Sequence, residues 1–70
     1  MFEIRMSDNK GRGYCAAGKV CDKGDCYEVL TENKFPVYLN KDRCKKVNNI
    51  IRYTDDYITV EIVPLAVILP

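Results

Sequence analysis

The residues of this chain best suited to chemistry are its cysteines, two clusters of cations and a few neighbouring carboxylates. Cys15, Cys21, Cys26 and Cys44 number four, the count of a closed tetrahedral zinc site, for which thiolates are the preferred soft ligands. Structural zinc sites usually offer a tight pair, roughly two to four residues apart, whereas here five, four and seventeen residues separate successive cysteines. Only Cys21 and Cys26, flanking Asp22, Lys23, Gly24 and Asp25, form a loose knuckle. The favoured expectation is therefore that Cys15 and one or two others fill the core as small apolar residues, with zinc as the alternative. The run Lys10, Gly11, Arg12, Gly13, Tyr14 sets two cations, two glycines and an aromatic side by side. Backbone amides there can hold a phosphate while the ring stacks on a base. Lys41, Arg43, Lys45 and Lys46 make a second basic cluster, suited to phosphate or to an acidic protein surface. The competing reading of both clusters is a solvated loop.

Histidine is missing altogether, so the usual neutral-pH base is lacking and no Ser-His or Cys-His nucleophile pair can be assembled. The carboxylate pairs Asp55-Asp56 and Asp22/Asp25 lie in predicted turns, where aspartate side chains bond nearby backbone amides. That explains them better than acid–base catalysis does. The sequence thus points to binding rather than to an enzyme.

Other bounds come from size and composition. Seventy residues fit one domain with a small core, and 47% hydrophobic with 30% charged residues is a globular balance that predicts order throughout. Eleven basic residues against ten acidic leave a net charge of +1, so nothing draws the whole molecule to nucleic acid, and such binding would need a local patch. Charged residues at Glu3 and Arg5 leave no room for an apolar leader. The apolar run from residue 62 to residue 69 is broken by Pro64 and is far short of the ~20 residues that span a bilayer. Four thiols without an export signal predict a reducing, cytoplasmic setting and no membrane partner.

These groups must be positioned by strands. Phe2, Ile4 and Met6 alternate with Glu3 and Arg5, the period of a half-buried strand. Residues 7–13 read as a loop, and strand pattern resumes at Tyr14. Residues 26–31 and 35–39 read as a hairpin about Glu32-Asn33-Lys34, with Pro36 placing its second arm at a sheet edge or on a bulge. Residues 40–46 read as a loop or a single helical turn capped by Asn40 or Asp42. Residues 47–53 and 57–63 form a second hairpin about Thr54-Asp55-Asp56, with Tyr53 and Tyr57 paired across it. Leu65 to Leu69 is a last strand apolar on both sides, whose cover in so small a protein points to a second subunit. The prediction is an all-β, barrel-like or β-clip-like sheet of five to seven short strands with at most one helical turn.

Residues 7–28, SDNKGRGYCAAGKVCDKGDCYE, resemble the opening of the SET-domain family of lysine methyltransferases. Ser7, Gly11, Gly13, Ala16, Val20, Gly24 and Asp25 carry the resemblance. It implies a β-clip fold and a G-x-G turn that lets backbone approach S-adenosylmethionine. Cys15 stands where the family has an aromatic, and the family's Asn-His pair and terminal Gly-Glu-Glu and tyrosine motif have no counterpart. The resemblance therefore implies a degenerate S-adenosylmethionine binder rather than a methyltransferase.

The expectation drawn from all this is a small non-enzymatic binding protein, complete from Met1 to Pro70. It would occlude a protein partner or hold a small anionic ligand, display residues 10–14 and 41–46, and form a homo-oligomer through residues 62–69, from Ile62 to Leu69. In size and style it resembles accessory proteins of phages and mobile elements, inhibitors of host defence among them. A zinc module docking on nucleic acid or on a larger complex is the alternative, with the S-adenosylmethionine binder second.

Overall fold

Period-two alternation sorts the chain into an inner and an outer face, and the inner face builds the core. In the computed structural model, residues 1–32 and 36–65 are described. They form seven strands: β1 (Phe2–Asp8), β2 (Gly13–Asp22), β3 (Cys26–Thr31), β4 (Val37–Asn40), β5 (Cys44–Val47), β6 (Ile50–Thr54) and β7 (Ile58–Pro64). A single 3-10 turn, Lys41–Arg43, joins β4 to β5. The all-β expectation holds, including its one helical turn, for which Asn40 is the cap: its side chain accepts a hydrogen bond from the Asp42 amide at 3.0 Å.

The strands make one sheet in the order β4-β3-β2-β1-β7-β6-β5. Two meanders, β1 to β4 and β5 to β7, are thus joined by the pairing of β1 with β7. All six pairings are antiparallel, and an even number of reversals leaves β4 and β5 running the same way. The two edge strands are therefore halves of one bent strand. Its first half bonds β3, its second half bonds β6, and the 3-10 turn is the corner that nearly closes the barrel. Ile4, Val29, Leu39, Ile51, Tyr53, Val60 and Ile62 meet in one cluster, which brings β4 and β6 together across the interior.

Several expectations need correction. Residues 47–53 are not one strand, because Asn48 and Asn49 adopt φ of 53° and 67° and reverse the chain between β5 and β6. Positive φ at both central residues is what a two-residue hairpin turn requires, and asparagine tolerates it. Lys45 and Lys46 consequently lie on a strand, not in a loop. Tyr53 stands opposite Val60 rather than Tyr57, and its hydroxyl donates to Asp55 Oδ2 at 2.6 Å. Tyr57 is exposed in the turn. Asp55 Oδ1 accepts the Tyr57 and Ile58 amides at 2.7 and 2.8 Å, so turn chemistry does account for this carboxylate.

Ile62, offered as part of a subunit interface, is wholly buried within the chain, because even-numbered residues of β7 face inward. Leu65 is exposed, and its amide donates to the Met1 carbonyl at 3.2 Å. The rest of the expected last strand, residues 66–69, lies outside the described residues, as do Phe35 and most of the turn before it. Pro36 directly precedes β4, which is an edge as expected. No helix among the described residues is long and apolar enough to cross a membrane.

The Asn48-Asn49 turn yields a direct test. A β-branched residue held at positive φ costs roughly 1–3 kcal/mol, so Asn49→Val lowers the urea midpoint while Asn49→Gly leaves it unchanged or raises it. An unchanged midpoint for the valine variant would contradict the turn.

Candidate functional site

The glycine-rich loop at residues 10–14 is already supplied with an anion of its own. Asp8, at the end of β1, accepts the Lys10 and Arg12 amides on Oδ1, each at 2.9 Å, and the Arg12 Nε on Oδ2 at 3.1 Å. The Gly11 amide donates to the Asp8 carbonyl at 3.3 Å. These bonds, the Arg12 amide foremost, hold the Asp8 carboxyl below its ordinary range. The amides that would cradle a phosphate are spent inside the turn. The glycines serve the backbone: Gly11 takes φ of +82°, and a Cβ on Gly13 would stand 2.6 Å from the Met6 carbonyl oxygen.

Of the cysteines only Cys44 packs against the core cluster, which corrects the packing expectation for Cys15. Cys15 and Cys21 are exposed because odd-numbered residues of β2 face outward, opposite Arg5 and Glu28. Cys26 and Cys44 are half-buried, and the Cys44 thiol donates to the Asn40 carbonyl at 3.4 Å. Burial pushes both of these thiols up, and at Cys26 the Asp25 charge adds to it. Among the described residues, no three cysteine or carboxylate side chains gather where they could hold a metal ion. A thiol reagent at neutral pH should label Cys15 and Cys21 quickly and Cys26 and Cys44 slowly until the chain is unfolded. Four equally slow thiols in reduced native protein would contradict this placement.

The second basic cluster is divided by the fold. Lys41 is committed: its Nζ meets Asp22 Oδ1 at 2.6 Å and stands 4.8 Å from the centre of the Tyr27 ring. Its amide donates to the Asp25 carbonyl at 3.1 Å. This fastens the 3-10 corner to the β2–β3 turn and, through the Asp22 bond above all, raises the Lys41 ammonium and lowers the Asp22 carboxyl. Lys46 stands opposite Ile51 and, though exposed, leaves β5 on the opposite face from Lys45.

Arg43 and Lys45 remain, and the hairpin brings a third cation to them. Arg52 is the Cα partner of Lys45. The three line a shallow recess of about 410 Å³ with Asp42, Cys44 and Thr54. The Asp55 carboxyl is held low by the Tyr53 hydroxyl above all, then by the Ile58 and Tyr57 amides, and least by the charge of Arg43. The side chains of Lys45 and Arg52 have no hydrogen-bond or ion-pair partner among the described residues. On the far side of Arg52 stands Glu61, which is also opposite Arg5, whose guanidinium bonds Glu3 at 2.9 Å. Arg5, Glu61, Arg52 and Lys45 thus run across four strands of the outer face, with two like charges side by side at the corner. Sequence reasoning missed Arg52. Its signal was present, since Arg52 alternates with the inward Ile51 and Tyr53, but its partner depends on the Asn48-Asn49 turn.

No family model, curated protein or solved structure matches the chain. Fold and surface together define a small antiparallel barrel with a cationic recess at the corner of its bent strand.

Proposed function

We propose that this chain is a non-enzymatic binding protein that recognises an acidic group on a protein partner through Arg43, Lys45 and Arg52. The observation that carries this reading is the placement of Lys45 directly opposite Arg52. Like charges in that position destabilise a sheet. Glu61 stands opposite Arg52 on its other side, but neither cation is held in an ion pair among the described residues, and a local rule broken in this way is characteristic of a surface kept for function.

Magnitude separates a macromolecular partner from a small ligand. Each exposed ion pair contributes about 0–1 kcal/mol, so three cations on an open surface hold an isolated anion at roughly millimolar concentration. Useful affinity requires a partner that adds further contacts. Covering an acidic site on that partner is how such a protein would act as an accessory or inhibitory factor.

The test is a two-dimensional NMR titration of the full chain with inorganic phosphate and with a hexaglutamate peptide. Both should shift the signals of Arg43, Lys45, Arg52 and Thr54, the peptide at lower concentration, and added salt should reverse both. Shifts confined to residues 10–14, or no shifts at all, would overturn the reading.

A further inference from the structure

We infer that the acidic partner segment binds as an added strand on the free edge of β5, antiparallel to it, with an apolar-acidic-acidic core sequence. This rests on the anion-binding reading of Lys45 and specifies how the partner is held.

Among the described residues β5 is the last strand of the sheet and pairs only with β6. In a hairpin with a two-residue turn, the residues flanking the turn form a hydrogen-bonded pair, and such pairs alternate along the ladder. Val47 and Ile50 are that first pair, so Lys45 and Arg52 are the next. Val47 and Lys45 therefore direct their backbone groups toward β6. The N–H and C=O of Lys46, together with the C=O of Cys44, point outward from the free edge. The Cys44 amide is already used, donating to the Lys41 carbonyl. One residue of an incoming antiparallel strand can exchange two hydrogen bonds with Lys46, and the Cys44 carbonyl can accept a third.

Side-chain alternation then selects the sequence. The incoming residue opposite Lys46 lies on the same side as that ammonium, and its neighbours face Lys45 and Val47 on the outer surface. Val47 is 65% exposed. A second recess shares Lys45 and Arg52 with the first and is otherwise lined by Val47, Asn48, Ile50 and Glu61, so that an apolar end lies beside the cationic one. Read from its N-terminus, an antiparallel strand presents an apolar residue to Val47, an acidic one to Lys46 and another acidic one to Lys45.

Lysines on a short edge also exclude the wrong partners. A second copy adding through β5 would set Lys45 and Lys46 of each chain against one another. The other edge, Val37–Asn40, holds no acidic residue to offer instead. The edge is closed to its own kind and open to an acidic strand.

Fluorescence anisotropy with the full chain tests this. The probes are a labelled peptide with a valine-glutamate-glutamate core, the same peptide N-methylated at the first glutamate, and a labelled oligothymidylate. N-methylation removes one hydrogen bond to Lys46 and crowds the edge, so the methylated peptide should bind about tenfold more weakly or worse. In the unmethylated complex the Lys46 amide should be protected from hydrogen exchange. Equal binding of the two peptides, with both still weakened by Lys45→Gln, would overturn the strand-addition mode and leave the anion reading standing. No response to either peptide or to phosphate would remove the anion reading as well. Tighter binding of oligothymidylate than of the peptide would overturn a protein segment as the occupant.

Discussion

Replacing Ile4 with alanine should cost about 2–5 kcal/mol of stability and lower the melting temperature by roughly 8–40 °C, given some 4–8 °C per kcal/mol in a domain of this size. Ile4 is 0% exposed on β1, the central strand, where it stands between Ala16 of β2 and Ile62 of β7. Among the described residues the pairing of β1 with β7 is the only link between the two meanders in the sheet, so a cavity there loosens both at once. Seventy residues bring a total stability of about 3.5–10 kcal/mol at ordinary values per residue, and the loss is a large share of it. Thermal unfolding followed by circular dichroism measures this. A shift below about 4 °C, the value of 1 kcal/mol or less, would show that the core is not centred on β1.

The second large effect is expected at Gly18, for the opposite reason. A Cβ added there would stand 2.6 Å from the Leu30 carbonyl oxygen and 2.9 Å from Ile4 Cγ1. The first of these is backbone and cannot turn aside. Overpacking of this kind costs roughly 1–3 kcal/mol for a small group and more for a branched one. Gly18→Ala should therefore be clearly destabilised in urea, and Gly18→Val should leave little native protein. An alanine variant with an unchanged midpoint would contradict the close approach of β2 and β3 at this point.

Much of the fold was legible because alternation alone locates most strands. Phe2, Ile4 and Met6 announced β1, and Asn40 announced the capped turn. Pro36 announced an edge. Gly18 was not legible, since its requirement comes from Leu30 and Ile4, which are distant in sequence. The Asn48-Asn49 turn was hidden by the apolar residues on either side of it. Merging β5 with β6 in turn concealed the bent strand, whose direction follows only from counting antiparallel pairings round the sheet.

The candidate site was half legible for the same reasons. Arg43 and Lys45 stand out by composition. Composition could not show that Asp22 engages Lys41, that Lys46, though exposed, leaves β5 on the opposite face from Lys45, or that Arg52 comes across from β6. At residues 10–14 the composition suggested an anion cradle, and the geometry is indeed of that kind, but Asp8, two residues before the run, fills it. Cys15 and Cys21 fell outside the core because strand parity, which sets them on the outer face of β2, outweighs the average tendency of cysteine to be buried.

The measurement that bears most directly on the account is the affinity of the full chain for an acidic peptide, compared with that of a variant carrying Lys45→Gln and Arg52→Gln. These substitutions remove the two opposed charges with little change in length, and the Lys10→Gln variant serves as a control at the loop that Asp8 fills. Expected are a loss of roughly tenfold or more for the double variant, binding by the Lys10 variant equal to that of the unaltered chain, and little change in stability of the double variant, since the repulsion between Lys45 and Arg52 that is relieved offsets the attraction of Arg52 to Glu61 that is lost. Undiminished binding by the double variant, or a loss that follows Lys10 instead, would contradict the account.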